Sequence, residues 1–290
     1  MRSVTMPAHA KLNLTLDILR KRPDGYHDLR MVMQSIALHD VVTVRTETGS
    51  GEITVHTDRE DLPGGPDNIA WKAARAFYDA VGQESSGTEI VLEKHIPMQA
   101  GMAGGSADGA AVLLALQSLY APEMPREALE QVGLQVGSDV PFCVRGGTAL
   151  AEGRGEVLTD LPPLPDCWIA VCKPDFGLST PALFRRVRVD ALQGRPDHDA
   201  MKRALAAGDL PAVARQMRNV FEEVLTVRER QEIMYLKDVM LRCGACNAVM
   251  TGSGPTVFGL FERKAEAERA VEALRNHYSQ LFLTTPLQRV

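Results

Sequence analysis

A run of small residues at positions 100–105 carries the strongest chemical signal in the sequence. Its glycines have no Cβ, so the backbone there can approach a bulky group closely. The Ala- and Leu-rich segment 109–119 that follows has the composition of a helix, and the start of a helix offers free N–H groups and a positive dipole end. The combination predicts an anion site, most simply for a phosphate, with Ser106 and Asp108 as cap residues.

Three common nucleotide-binding motifs do not fit this loop. A P-loop needs a lysine after its last glycine, and none follows here; the spacing of the dinucleotide fingerprint G-x-G-x-x-G is also missing. The H-R-D and D-F-G motifs of protein kinases are absent. A flexible loop without a ligand remains the alternative, although a long small-residue loop with a clean helix start is better explained by a bound anion.

A second glycine-rich loop, Thr-Gly-Ser-Gly-Pro at 251–255, lies between two apolar segments that are typical of strands. Many hairpins carry glycines, so an ordinary turn is an adequate explanation of this loop alone. Its presence beside a predicted phosphate loop favours a second point of close approach to a ligand.

Asp139 and Lys11 are the candidate reactive residues. Asp139 stands in a turn sequence among small and apolar neighbours, where an aspartate most often serves the turn itself. Lys11 belongs to an alternating strand pattern, where a lysine usually faces solvent. If the two converge, Lys11 holds Asp139 ionised and lowers the pKa of a substrate hydroxyl, while Asp139 accepts its proton.

The remaining sequence must supply the elements that position these residues. Residues 4–19 alternate as a strand, and the stretches 41–45 and 52–57 predict an antiparallel hairpin. A strand is predicted at 88–93, and a turn at 138–142. Helices are predicted at 69–81 (capped by Asn68), 109–119, 126–136, 200–206, 210–220, 227–243 and 264–277.

Further strands are predicted at 167–173, on either side of the second glycine loop, and at 280–285. Frequent hairpins without regular βαβ alternation predict an α+β fold with mostly antiparallel sheets. The proline-rich stretch 160–166 is the predicted seam, so that residues 1–160 and 161–290 form two domains.

Composition limits the classes of function. The chain has 290 residues, and its net charge of −5 argues against a broad nucleic-acid surface, although a local basic patch can exist on an acidic protein. Its five cysteines favour reduced thiols over a disulfide framework. The pair Cys243 and Cys246 lacks a partner cluster, so a structural turn is favoured over a metal or redox site. With no membrane-length apolar run and no signal-peptide pattern, a cytoplasmic protein is expected.

Three motifs in this order resemble the superfamily of galactokinase, homoserine kinase, mevalonate kinase and phosphomevalonate kinase. They are residues 7–14, 97–107 and 251–256. Arg-Pro-Asp-Gly-Tyr-His at 22–27 and Gly-Ser-Asp-Val-Pro-Phe at 137–142 make the chain similar to one family within it, the 4-diphosphocytidyl-2-C-methyl-D-erythritol kinases. The resemblance covers about residues 1–285.

The resemblance implies the two-domain fold of these small-molecule kinases, with an N-terminal domain for ATP binding and catalysis and a C-terminal domain on the substrate side. It also implies transfer of the γ-phosphoryl group of ATP to the 2-hydroxyl of 4-diphosphocytidyl-2-C-methyl-D-erythritol, a step of the non-mevalonate (methylerythritol phosphate) route to isoprenoid precursors. ATP, Mg²⁺ and this acceptor are the implied partners. Nucleic acid and membrane are not expected, and the protein is expected to be a monomer or homodimer.

The resemblance also implies roles for individual residues. Asp139 is the catalytic base and Lys11 its partner. Nucleotide binding is assigned to Asn68, Lys94, Pro97, Gly101, Ala103, Gly104, Gly105 and Ser106. Substrate binding is assigned to Asn13, Tyr26, His27, Thr180, Phe184, Gly252, Ser253 and Gly254, with the aromatic residues around the cytosine.

The loop departs from the frequent family pattern G-L-G-G-G-S-S. Ala103 needs either a negative φ or a site that tolerates a side chain. Ala107 removes a hydroxyl, which leaves Ser106 as the main side-chain oxygen, and the protein ligands of Mg²⁺ stay open. Another kinase of the superfamily remains an alternative, and the Tyr26-His27 element argues against it. A nucleotide-binding regulator without turnover is a second alternative, and the retention of both Lys11 and Asp139 argues against that one.

Overall fold

The computed structural model describes residues 2–288, and the side chains of all of these except 48–50. The chain forms two compact units, each made of separate stretches. The first contains Met1–Ala10, Leu38–Ile96 and Ala103–Arg145, and the second contains Lys11–Ala37, Pro97–Met102 and Gly146–Val290. The predicted linear division into 1–160 and 161–290 is a different partition, because two long strands and the small-residue loop run through both units.

The described chain contains eleven strands and nine α-helices. The strands are β1 (Arg2–Lys21), β2 (His27–Ser50), β3 (Ile53–Thr57), β4 (Ser86–Glu93), β5 (Thr148–Gly153), β6 (Val157–Asp160), β7 (Trp168–Lys173), β8 (Arg218–Asn219), β9 (Asn247–Met250), β10 (Val257–Phe261) and β11 (Gln280–Thr284). The helices are α1 (Ile69–Val81), α2 (Gly104–Tyr120), α3 (Arg126–Val136), α4 (Val140–Arg145), α5 (Thr180–Arg186), α6 (His198–Ala207), α7 (Leu210–Gln216), α8 (Val227–Arg242) and α9 (Lys264–Leu274).

The strands form two sheets, which confirms the predicted α+β fold. The larger sheet has the order β3-β4-β2-β1-β8, with β5 and β6 attached to β2. The smaller sheet lies in the second unit, has the order β11-β7-β10-β9, and is antiparallel throughout.

The predicted hairpin between 41–45 and 52–57 is wrong. In the first unit, β4 lies between these two segments, antiparallel to β2 and parallel to β3. A parallel pair needs a crossover connection, and α1 provides it between β3 and β4. The alternating side chains of β4 give it a buried face, so the strand is stabilised by pairing along both of its edges.

The predicted helix over 69–81 is confirmed with its cap. Asn68 has extended backbone geometry, and its side chain accepts a hydrogen bond from the Ala70 N–H at 2.8 Å. Gly82 ends the helix in the left-handed conformation, as glycine often does. The helix at 126–136 is also confirmed, as α3.

Helix α2 begins at Gly104, five residues before the predicted start, so Ser106 and Asp108 are not its caps. Its N-cap is Ala103, which makes no side-chain capping bond. The early glycines instead let α2 pack tightly on Ile69 of α1: a Cβ on Gly105 would lie 3.2 Å from that side chain, and a Cβ on Gly109 only 2.9 Å. Close helix packing therefore explains some of the small residues that sequence reasoning assigned to the anion.

The predicted turn at 138–142 is the start of helix α4, which begins one residue after Asp139. Pro141 is compatible with a helix here because the first turn needs no N–H from its second residue. The carbonyl of Asp139 accepts the N–H of Cys143 at 3.1 Å, so the backbone of this residue already belongs to the helix.

No helix among residues 2–288 is both long enough and apolar enough to span a bilayer. All five cysteines are free thiols. Cys243 is the C-cap of α8 and Cys246 directly precedes β9. The pair therefore lies at a turn between a helix and a strand, as predicted.

Candidate active site

The small-residue loop has a strained backbone. Among residues 2–288, two residues other than glycine have positive φ, Gln99 at 50° and Ala103 at 59°, and both lie in this loop. A left-handed conformation costs a residue with a Cβ about 1–2 kcal/mol. Strain of this kind is concentrated at ligand sites, so its presence on both sides of Gly101 supports a binding role for the loop.

In the first unit, the loop ends at the N-terminus of α2. Because Ala103 offers no side-chain cap, the first-turn N–H groups at Gly104 and Gly105 are directed out of the helix end without such a partner. Ser106 follows them, and its Oγ lies 4.0 Å from the Cβ position of Gly137, two residues before Asp139. The helix end, a hydroxyl and the segment of the candidate base are therefore neighbours.

In the second unit, the two glycine-rich loops touch each other. A Cβ on Gly101 would lie 2.4 Å from the carbonyl oxygen of Thr251, and a Cβ on Gly252 would lie 2.6 Å from the carbonyl oxygen of Gly101. Both glycines also have positive φ, 71° and 55°. Both positions require glycine because the backbone of the other loop packs directly against them. This close packing explains why both loops are rich in glycine.

Lys11 and Asn13 join the same cluster from β1. Lys11 is only 4% exposed, so the usual solvent-facing position of a strand lysine does not apply. Its Nζ donates to the Asn13 Oδ1 at 2.7 Å, and its backbone N–H donates to the carbonyl of Met102 at 3.1 Å. The backbone N–H of Asn13 donates to the Thr251 hydroxyl at 2.9 Å. Strand β1 thus joins the first loop through the backbone of Lys11 and the second through the backbone of Asn13.

Asp139 is half-buried at the start of α4, in the first unit, whereas Lys11 belongs to the second. Their convergence stays a prediction.

An aromatic group lies at the start of β2. The His27 ring stacks on Phe184 of α5 with centroids 4.8 Å apart and planes 19° apart, and Phe184 packs edge-on against Phe221. Burial lowers the pKa of His27, with a smaller contribution from Lys21 in the same direction, so the ring is neutral at pH 7. A flat neutral surface with a hydrogen-bonding nitrogen suits a nucleobase.

Tyr26 is 58% exposed, with the Arg154 guanidinium 5.2 Å from its ring centroid. Such exposure is unusual for a tyrosine and leaves ring surface accessible to a ligand. Tyr26 is also fixed locally, because its backbone N–H donates to Asp24 at 3.1 Å.

Thr180 and Ser253 are joined directly: their hydroxyl oxygens lie 2.6 Å apart. This bond ties the first residue of α5 to the second glycine loop, so two predicted substrate-binding segments of the second unit are brought together. The flanking Gly254 has φ 72°, and a Cβ there would lie 2.3 Å from the Met250 sulfur.

Asn219 is a residue that sequence reasoning missed. Its Nδ2 donates to the carbonyls of Met250 at 2.7 Å and Gly252 at 2.8 Å, while its Oδ1 accepts the N–H of Phe221. It therefore fixes the second glycine loop from beneath. The available signal is a polar side chain near the end of the pattern 210–220, which predicts a continuous helix; α7 instead ends at Gln216.

Asn68 and Lys94 are engaged inside the first unit. Asn68 caps α1 and donates to the carbonyl of Pro63 at 2.8 Å. The Lys94 ammonium contacts the carboxylates of Asp40 and Asp108, and its side chain is 2% exposed. Pro97 is buried in the loop of the second unit. These positions do not test the adenine-side assignment, which stays a prediction.

Comparison with known proteins identifies the family. A model of the GHMP kinases N terminal domain matches residues 68–147, and a model of the GHMP kinases C terminal region matches 201–280. The chain is 44% identical over 283 residues to a 4-diphosphocytidyl-2-C-methyl-D-erythritol kinase from Lachnoclostridium phytofermentans, covering 97% of this chain and 96% of that one. A relative of the same name from Acetivibrio thermocellus is 42% identical, with coverage of 98% and 99%.

A solved structure agrees with these relatives. The crystal structure of a 4-(cytidine 5'-diphospho)-2C-methyl-D-erythritol kinase matches with a TM-score of 0.81 at 34% identity, over 98% of this chain and 99% of that one. Sequence and fold therefore agree over nearly the whole length of the chain. The chain belongs to the 4-diphosphocytidyl-2-C-methyl-D-erythritol kinase family, within the GHMP kinases.

Proposed function

We propose that the protein transfers the γ-phosphoryl group of ATP to the 2-hydroxyl of 4-diphosphocytidyl-2-C-methyl-D-erythritol, giving the 2-phosphate and ADP. This is a step of the non-mevalonate, or methylerythritol phosphate, route to isoprenoid precursors. The observation that carries the proposal is 44% identity over 97% of the chain with a relative of that name. We place the reaction in the cytoplasm, with the enzyme as a monomer or homodimer that needs neither nucleic acid nor membrane.

On the ATP side, we assign the triphosphate to residues 101–106. The N-terminus of α2 contributes N–H groups and a positive dipole end, which favour an anion. Ser106 adds a hydroxyl donor. The adenine side remains assigned to Asn68 and Lys94 by family resemblance, and Pro97 to nucleotide binding. Because the polar atoms of Asn68 and Lys94 already make internal contacts, we expect these two residues to shape the wall of the site.

At the acceptor, Asp139 is the proposed base. It accepts the proton of the 2-hydroxyl as that oxygen attacks the γ-phosphorus. The Lys11 ammonium stabilises the developing alkoxide. Asn13 orients Lys11 through its Oδ1, while among the described residues its Nδ2 donates only to the Met31 sulfur, at 3.3 Å. Sulfur is a weak acceptor, so this amide can also donate to the erythritol end of the substrate.

At the cytidyl end, Tyr26 and Phe184 supply ring surfaces and His27 supplies a hydrogen bond to the base. The neutral state of His27 allows one ring nitrogen to donate and the other to accept. Thr180 and residues 252–254 line the path between cytidine and acceptor in this assignment. Stacking of a base on an aromatic ring contributes about 1–3 kcal/mol, enough to favour a cytidyl substrate strongly over a small acceptor.

Mg²⁺ is expected with ATP, where it neutralises charge on the β- and γ-phosphates. Within the described part of the chain, no group of three or more His, Cys, Asp or Glu side chains could hold a metal ion. This fits Mg²⁺, because that ion keeps several waters and is usually held by phosphates with one or two protein ligands. No protein ligand is assigned.

The test is a coupled ADP-release assay with the cytidyl substrate, mevalonate and homoserine at equal concentrations. We expect turnover with the cytidyl substrate and about 5- to 150-fold lower kcat/KM with the other two, since neither offers a base to stack. Turnover of mevalonate or homoserine alone would refute the assigned substrate. Binding of ATP with no turnover of any acceptor would refute the enzymatic proposal itself.

A further inference from the structure

A buried cluster of three ionisable side chains lies in the first unit. Asp40 of β2, Lys94 after β4 and Asp108 of α2 are exposed by only 0%, 2% and 4% at their side chains. The Lys94 Nζ donates to Asp108 Oδ2 at 2.5 Å and also to Asp40 Oδ2. One ammonium therefore serves two buried carboxyl groups, which leaves a net negative charge inside the protein unless one carboxyl holds a proton.

The two carboxyl groups differ in their partners. Asp40 Oδ1 accepts the backbone N–H groups of His95 at 2.5 Å and Ile96 at 2.7 Å, and its Oδ2 accepts from Lys94. Asp40 therefore has three hydrogen-bond donors. Within residues 2–288, Asp108 accepts a hydrogen bond only from Lys94, and its buried Oδ1 has no hydrogen-bond partner. The two carboxyl groups therefore differ in their hydrogen bonding, and Asp108 has the fewer donors.

The two carboxyl groups share the Lys94 ammonium, so they are neighbours in the cluster. Two neighbouring carboxylates repel each other, and a proton on one of them removes that repulsion. Burial outweighs the attraction of Lys94 and raises the pKa of Asp108 to about 7, and Asp40 acts in the same direction as burial. The charged groups that act on Asp108 from the surrounding elements are Lys94 and Asp40.

Other polar groups lie on the outer side of the cluster. Asp58 accepts the backbone N–H of Lys94 at 3.2 Å in an exposed setting, and the His95 ring bonds the carbonyl of His39. Both contacts involve exposed surroundings, where solvent screens their effect on the buried pair.

We propose that Asp108 is a protonated positioning residue that holds Lys94 beneath the first turn of α2. The Lys94 Nζ lies 3.7 Å from the Cβ position of Gly104, the first residue of that helix. A neutral Asp108 binds the ammonium through its Oδ2 without adding a second buried negative charge near the helix end. The effect on nucleotide binding rests on the proposed function, because residues 101–106 are assigned there to the triphosphate.

The neutral form makes a specific prediction about substitutions. Asparagine has the shape and charge of a protonated aspartic acid, so Asp108→Asn should keep Lys94 in place and change KM for ATP by less than about 2-fold. Asp108→Ala removes the contact and should raise KM for ATP by about 10-fold, one hydrogen bond to a charged group. An ionised Asp108 predicts the opposite pattern, with the asparagine variant as impaired as the alanine variant.

The test that needs no ATP is the pH dependence of unfolding. A carboxyl whose pKa is raised by folding loses stabilisation as pH rises from its unfolded value, 3.8, toward about 7. We compare the unfolding equilibrium constants of the native protein and of Asp108→Asn. The ratio of the native constant to the variant constant should rise by up to about 10-fold per pH unit between pH 5 and 7. Parallel pH profiles of the two proteins would overturn the proposal.

A second measurement keeps the proposal testable if the variants fold poorly. In native protein labelled with ¹³C at aspartate carboxyl carbons, one buried resonance should titrate near neutral pH, and Asp108→Asn should remove it. Absence of any carboxyl resonance with a midpoint above pH 6 in the native protein would overturn the proposal. These readouts are independent of catalysis, so a native protein without kinase activity would refute the proposed function and leave this inference standing.

Discussion

The contact between the two glycine-rich loops predicts that Gly101→Ala is far more damaging than an ordinary glycine substitution. The new Cβ would lie 2.4 Å from the Thr251 carbonyl oxygen and 3.0 Å from the Gly254 nitrogen. Both neighbours are backbone atoms in a loop that Asn219 holds from beneath, so they cannot rotate away. Gly208→Ala is the matched control, because Gly208 has φ 64° but no atom within 4 Å of its Cβ position.

Both substitutions carry the free-energy cost of a left-handed alanine, and only one of them carries a steric cost. At φ 71° and 64°, each alanine adopts the left-handed conformation, which costs about 1–2 kcal/mol. Only Gly101→Ala adds a steric conflict, and overpacking of a fixed site costs about 1–3 kcal/mol more. We therefore expect a loss of about 2–5 kcal/mol for Gly101→Ala and of about 1–2 kcal/mol for Gly208→Ala.

The assay is urea unfolding followed by Trp168 fluorescence in a Trp71→Phe background. Trp168 is the first residue of β7, in the second unit. Gly101 and Gly208 belong to the same unit, so one probe reports on both substitutions. KM for ATP is measured in parallel and should rise for Gly101→Ala alone. Equal free energies of unfolding for the two variants, within about 0.5 kcal/mol, would refute the reasoning that the loops depend on this close approach.

Asp139→Ala should lower kcat by about 10²–10⁴-fold with little loss of stability, measured by single-turnover kinetics; near-normal kcat would remove Asp139 from the mechanism. His27→Ala should raise KM for the cytidyl substrate about 10-fold and leave KM for ATP unchanged, and the opposite pattern would mean that the two sites are exchanged. Because burial lowers the pKa of His27 below 6.5, that KM should stay constant above pH 7 and rise only in acid. Asn219→Leu should cost about 2–4 kcal/mol in urea unfolding, since it leaves two buried carbonyls unpaired; a loss below 1 kcal/mol would contradict its anchoring role.

Local patterns in the sequence were sufficient for several elements. Asn68 and the apolar spacing after it predicted α1 with its cap, and short apolar runs predicted β7, β9 and β10. These elements depend on side-chain periodicity and on hydrogen bonds between near neighbours. The motif order likewise predicted the family, because a motif is a local property.

Strand pairing and helix starts required information that is not local. Insertion of β4 between β2 and β3 depends on α1 crossing the sheet, which no short window contains. Helix α2 begins at Gly104 because Gly105 and Gly109 pack against Ile69, and tertiary packing there overrides the low helix propensity of glycine. The buried position of Lys11 has the same origin.

Some residues of the candidate site could likewise be predicted from the sequence, and others could not. The types of residue at the loops, at Lys11 and at Asp139 were readable from the sequence, since each has a chemical role that few other residues share. Asn219 and the Asp40–Lys94–Asp108 cluster were not readable from the sequence. Asn219 contacts Met250, and Lys94 contacts Asp40, across more than 30 residues of chain. The contact of Lys94 with Asp108 is closer in sequence. Their polarity alone resembles that of ordinary surface residues.

The central claim is that Asp139 activates the 2-hydroxyl of a bound cytidyl substrate. The most direct measurement is a crystal structure with a non-hydrolysable ATP analogue and 4-diphosphocytidyl-2-C-methyl-D-erythritol. The account predicts the acceptor oxygen within hydrogen-bond distance, about 2.6–3.2 Å, of the Asp139 carboxyl, and the cytosine against His27. An acceptor oxygen more than about 5 Å from Asp139, with another base in contact with it, would contradict the account.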